Sequence, residues 1–212
     1  MLAKFFSFDN PVWRVVLKIG QIWLLNILWL VTSVPVITIG ASTTALIYSC
    51  MKLQKDDGYP TRNFFHSFKD NFAQATVIWL IYAGAGALLA GGLIFWNQID
   101  KSSLKLGWAL VIALAIPYVL SLLYVFAVQA KFVNTIKNTM HYAIILAIKH
   151  FKYTFQMLLL FGVVIYLNVT TIVWVNYLTL TVGVGLIAYL CSLYYAKIFE
   201  AYIPAQEDDP EA

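Results

Sequence analysis

Apolar residues run along this chain in blocks too long for the core of a small soluble domain, and the polar positions between them fall into short clusters. The first block extends from about Val15 to Val36, broken only by Lys18, Gln21 and Asn26. A helix needs about 20 apolar residues to cross the hydrocarbon core, so residues 15–36 are predicted to span. That length exceeds the roughly 7–15 residues of a cleaved signal core, and Gly40-Ala41-Ser42 matches a cleavage site only faintly. Pro35 and Gly40 then interrupt the pattern. The residue before a proline is biased away from helical geometry, which predicts a break at Val34-Pro35. Residues 37–51 form a second apolar block, short for a crossing at about 1.5 Å per residue. Its Ser42, Thr43 and Thr44 carry hydroxyls that can bond back to helix carbonyls. The block is expected to return as the second arm of a helical hairpin; the alternative is a re-entrant segment enclosed by protein.

Four more blocks follow, at about 75–95, 106–127, 155–175 and 178–195, the last two joined by a tight connection at Asn176. Gly84, Gly86, Gly91 and Gly92 lighten the first of these, as where membrane helices approach closely. Pro117 is expected to kink the second. Two intervening stretches are amphipathic instead. Pro60 and Thr61 open one of them with a helix-start signal. Phe64, Phe65, Phe68 and Phe72 then recur at helical spacing, while His66, Lys69 and Asp70 fall elsewhere around the wheel. In the other, residues 131–150, Phe132, Ile136, Met140 and Ile144 recur every four residues against Asn134, Lys137 and His141. Both are predicted to be helices at the membrane interface. The expected fold is all-α. It is a polytopic bundle of six membrane helices in three hairpins, forming one domain over residues 1–212, with an acidic, flexible tail at 205–212. Phe68–Gln74 also resembles Phe151–Gln156 with one deletion, which either a repeat of hairpins or a shared interfacial composition would produce.

Composition strengthens this picture. Of 212 residues, 61% are hydrophobic and 11% charged, against roughly 25% charged in an average soluble domain. The net charge of +4 comes from residues flanking the apolar blocks. With both termini in the cytoplasm, every basic residue except Lys101 and Lys105 falls on or near the cytoplasmic side, the orientation that the positive-inside rule selects. No clustered basic stripe with free aromatics suits nucleic acid. Cys50 and Cys191 have no paired spacing, so they read as two small buried thiols.

Candidate chemistry is sparse. All ten acidic residues fall outside the central part of every predicted span, which disfavours a proton-coupled carrier built on intramembrane carboxylates. His66, His141 and His150 lie on separate segments without metal-ligand spacing. There is no GxSxG and no P-loop lysine motif. The expectation is a protein that is not an enzyme and carries no cofactor or metal. The polar groups at membrane depth are Asn26, Thr32, Ser33, Thr38, Thr43, Thr44, Asn168, Thr170 and Thr171, with Trp23, Trp29 and Trp174 nearby. They suit hydrogen bonds between helices or the lining of a polar path. Asn26, Ser33, Pro35, Thr38 and Gly40 are the best candidates for a path, because a broken helix frees backbone groups that need partners. For docking a protein partner the candidates are Phe64, Phe65, Phe68, Phe72, Phe132, Ile136 and Met140, since helix-in-groove recognition uses that spacing.

The stretch Ser33-Val34-Pro35-Val36-Ile37-Thr38-Ile39-Gly40-Ala41-Ser42-Thr43-Thr44-Ala45-Leu46, preceded by Asn26, resembles the YesL-like family of bacterial membrane proteins. So do Asn63–Phe72 with Gln74, and Phe132, Asn134, Thr135, Lys137 and Asn138. The likeness covers nearly the whole chain. It implies a Gram-positive cell membrane and an association with carbohydrate uptake, including binding-protein-dependent sugar transporters; it supplies no catalytic residues. The function expected is a non-enzymatic accessory subunit, with the bilayer and the permease or ATPase subunits of a sugar ABC transporter as partners. The alternative is a stand-alone channel or facilitator for a small polar solute.

Overall fold

A computed structural model of the chain describes residues 11–98, 104–170 and 173–202. The described elements are α1 (Pro11–Ser33), a 3₁₀ turn (Val36–Thr38), α2 (Ile39–Gln54), α3 (Pro60–Gln98), α4 (Leu104–Lys131), α5 (Ile136–Lys149), α6 (Phe151–Thr170), α7 (Val173–Leu178), a π-helical turn (Thr179–Gly183) and α8 (Val184–Glu200). Six stretches among them are long and apolar enough to cross a membrane. The molecule is an all-α polytopic bundle.

α1 and α2 form the expected hairpin. Trp29 Nε1 donates to Thr43 Oγ1 at 3.2 Å near the Pro35 turn, and Lys18 Nζ meets Asp56 Oδ1 at 3.1 Å at the other end. Two contacts so placed require the arms to run antiparallel. Backbone freedom turns α2 into α3, with Asp56 at φ 50° and Gly58 at φ 74°. α2 is the enclosed helix of the bundle: 61% of its span is buried, against 11% for α3 and for α6. That position explains why a short segment rich in Ser and Thr is tolerated. It meets protein, while its neighbours meet lipid.

Three expected boundaries differ. Residues 60–72 and 75–95 are not separate elements but one 39-residue helix, α3. Neither Gly nor Pro lies between Phe72 and Ala75, and Gln74 continues the helix without breaking it. The Pro35 turn meets α3 at Ala75 and Trp79, near its middle, so α3 runs on for about 29 Å beyond that level at 1.5 Å per residue. Lys131 ends the long helix α4, and the second amphipathic helix starts only at Ile136. Thr135 caps it by accepting from the Asn138 N–H. Asn176 lies inside α7, not at a connection. Pro117 sits within α4, and the 205–212 tail lies outside the described residues.

Two buried clusters hold the helices together. One gathers Ile78, Tyr124, Met157, Tyr195 and Phe199; the other gathers Ile22, Leu25, Leu46, Cys50, Leu53 and Phe64. Large apolar side chains face outward along α3, α4 and α6, among them Leu88, Ile94, Leu110, Ile116, Ile165 and Val169. Exposing that surface to water would cost about 25 cal/mol per Å². In a bilayer it meets hydrocarbon at no such cost.

Candidate functional site

Asn26 is fully buried, and its partners lie more than 150 residues away. Its Nδ2 donates to Leu180 O at 2.9 Å and Thr181 O at 2.8 Å. Its Oδ1 accepts from the Gly185 N–H at 2.6 Å. In an uninterrupted α-helix the Gly185 N–H would bond the Thr181 carbonyl; the carboxamide stands between those two groups. The π-helical turn at Thr179–Gly183 and the amide of α1 are therefore one device. Gly185 is required there, because a Cβ would lie 2.8 Å from Ile22 O and 2.9 Å from Asn26 Cβ.

The Pro35–Gly40 break is also satisfied from within. Thr38 Oγ1 donates to Pro35 O at 2.6 Å and reaches Thr32 O at 2.5 Å. Trp79 Nε1 donates to Val36 O at 2.8 Å. Ser42, Thr44, Thr32 and Thr170 bond carbonyls of their own helices one turn back. Asn168 bonds Val164 O at 2.8 Å and Thr179 Oγ1 at 3.2 Å. Thr32, Ser42, Thr44 and Thr170 thus turn inward on the preceding turn, whereas Thr38, Trp79 and Asn168 also reach a neighbouring element. Ser33 Oγ is buried without a partner. Trp23 is half exposed, and Thr171 and the Trp174 side chain lie outside the described residues.

The basic end of the bundle holds a different arrangement. Gln129 Nε2 donates to Asn71 Oδ1 at 2.9 Å, and Asn71 Nδ2 donates to Ser67 O at 3.0 Å. Thr139 Oγ1 closes on Gln129 Oε1 at 3.5 Å, and Gln74 Nε2 donates to Asn134 O at 2.6 Å. These bonds tie α3, α4, α5 and the 132–135 linker into one polar knot. It floors a recess of about 270 Å³, with Tyr48, Ser67, Lys131 and the His66–Asp70 pair (3.2 Å) in its walls. The recess can hydrogen-bond a polar group presented from outside. A lone amide just past an apolar block reads as a solvated helix end, so nothing in the sequence singles out Gln129. Among the described residues, no three of His, Cys, Asp and Glu come together where they could hold a metal ion.

The two aromatic and aliphatic stripes split by face. Phe64 is fully buried, with Phe68 stacked on it at 6.3 Å. Phe132 packs edge-on against Phe199 at 5.1 Å, and Ile136 and Met140 pack on the same cluster. Those five side chains are seams of the bundle. Phe65 and Phe72 remain exposed, as do Val133, Tyr142 and Ile145. The latter three, with Leu146, Lys149 and Tyr202, line an apolar cleft of about 360 Å³.

At the edge of this cleft His150 Nε2 pairs with the Tyr202 hydroxyl at 3.0 Å, and Lys149 Nζ lies 4.9 Å from the centre of the Tyr202 ring. Burial, and then the Lys149 charge, lower the His150 pKa from its ordinary value. The unfolded chain then binds the proton more readily than the folded one, so this contact's stabilisation is complete above about pH 6.5 and declines as pH falls. Thermal unfolding at pH 7.5 and 5.5 is expected to show a small extra loss at the lower pH, absent in His150→Gln. An equal loss in both proteins would refute the assignment.

A family described as Protein of unknown function, DUF624, has a model that matches residues 22–93. The match takes in Asn26, the Pro35–Gly40 break and the α3 half of the polar knot. No curated protein and no solved structure matches the chain.

Proposed function

We propose that this chain is a non-enzymatic accessory subunit of a membrane transporter, and that it docks on its partner through the basic end of the bundle. We place that end in the cytoplasm, as the distribution of Lys and Arg favours. The observation that carries the reading is where the polar groups are spent. At membrane depth the Asn26 carboxamide and most of the hydroxyls bond the chain's own backbone, which leaves little to hold a polar solute in transit. At the basic end a polar recess, an apolar cleft and exposed rings lie side by side, the mixture that protein interfaces use.

The YesL-like resemblance supports a sugar uptake system of a Gram-positive cell membrane, with permease or ATPase subunits as the partner. Gentle solubilisation, affinity capture and mass spectrometry are expected to recover those subunits in stoichiometric amounts. The double variant Phe65→Ser/Phe72→Ser, which alters exposed rings only, should reduce recovery at least tenfold. Recovery of the protein alone, together with sugar flux into proteoliposomes containing nothing else, would overturn the proposal in favour of a facilitator.

A further inference from the structure

A cavity larger than the cleft and the recess lies away from the basic end. It lies between α1, α2, α4, α6 and α8, has a volume of about 560 Å³, opens on one side, and is walled by Thr43, Phe126, Gly162, Ile165, Ile187 and Ala188 among others. Its few polar groups are already engaged: Trp29 Nε1 bonds Thr43 Oγ1, and the Tyr195 hydroxyl donates to Leu123 O at 2.6 Å. Water needs two to four polar partners to settle in a cavity, and this one offers almost none. An empty cavity destabilises in proportion to its volume. This one is open on one side, so an apolar group of the surrounding medium can enter and fill it.

The mouth of the cavity identifies the occupant. Val119 of α4 and Gly162 and Ile165 of α6 line it and are themselves exposed, so it is continuous with the lipid-facing surface of those helices. A Cβ on Gly162 would meet nothing within 4 Å. The medium at that opening is hydrocarbon. A helix, at about 10–12 Å across, would need far more than this volume to enter over a useful length. A single alkyl chain of 16 to 18 carbons, at contact distances of about 4 Å, occupies on the order of 400–500 Å³. We infer that this cavity is a binding site for one acyl chain of a membrane lipid, inserted sideways between α4 and α6. The inference stands whether or not the chain has a transporter partner.

The test is photo-crosslinking in nanodiscs with a phosphatidylcholine that carries a diazirine on its acyl chain, read by peptide mass spectrometry. Label is expected on Phe126, Ile187 and Ala188, and should persist when irradiation follows a detergent wash that strips freely exchanging lipid. Ala188→Trp should reduce it at Phe126 and Ile187 at least fivefold and leave outward-facing Leu88 and Val169 unchanged. Label confined to Leu88 and Val169 in the wild-type protein would overturn the inference. Should Ala188→Trp fail to fold, the wild-type ratio of inner to outer label decides.

Discussion

Asn26→Leu is expected to destabilise the bundle by about 2–4 kcal/mol. The substitution keeps the branched shape, adds some volume, and removes three hydrogen bonds at once, leaving Leu180 O, Thr181 O and the buried Gly185 N–H without that partner. An unsatisfied buried group costs about 1–3 kcal/mol. Hydrogen bonds in membrane proteins average nearer 0.6 kcal/mol, because the unfolded chain also finds partners, which holds the total below the simple sum. If α8 instead recovers regular geometry by losing the π turn, the residues beyond it rotate about the helix axis, and Tyr195 and Phe199 leave the core. Both routes lower stability. Steric-trapping or detergent-unfolding measurements would check the value, with Asn168→Ala as the comparison. Asn168 bonds a carbonyl of its own helix and one hydroxyl, so its loss should cost under about 1 kcal/mol. Equal effects from the two substitutions would refute the clamp.

Gly40→Ala should cost about 3 kcal/mol, a large effect for one methyl group. The added Cβ would stand 2.3 Å from Ala75 O and 2.6 Å from Trp79 Cβ. The first neighbour is backbone and cannot rotate away, so α2 and α3 must separate; overpacking of this kind costs about 1–3 kcal/mol, occasionally more. Separation also pulls Trp79 from the Val36 carbonyl that it caps. Gly91→Ala is the matched comparison, since its Cβ would meet nothing within 4 Å. There the better helix propensity of alanine should stabilise by about 0.5–1 kcal/mol. The same unfolding assay reads both signs, and a neutral Gly40→Ala would remove the close approach from the account.

These two positions show where reading along the chain stops. The glycines of 75–95 look like a helix-packing motif, yet Gly84 and Gly91 face open space, and Gly86 faces only the Tyr118 ring. The close approaches to the backbone of another helix are at Gly40 and Gly185, and a lone glycine does not announce that it faces another backbone. Asn26 stands out in the sequence because a carboxamide in an apolar block must find a partner. Its partner could not be found there, since Leu180 and Gly185 become neighbours only when α1 packs on α8.

The aromatic stripe over 64–72 shows the same limit. Periodicity establishes that the residues share a face. It does not say whether that face meets a partner, the headgroups or the bundle itself, and Phe64 lies in the core while Phe65 does not. Apolar run length, charge placement and the proline break are local properties, and they suffice for six membrane-capable helices and an α1–α2 hairpin. Which polar groups are spent inside the bundle, which close contacts hold it, and where a cavity is left depend on residues far apart in sequence. Those features exist only once the helices have packed.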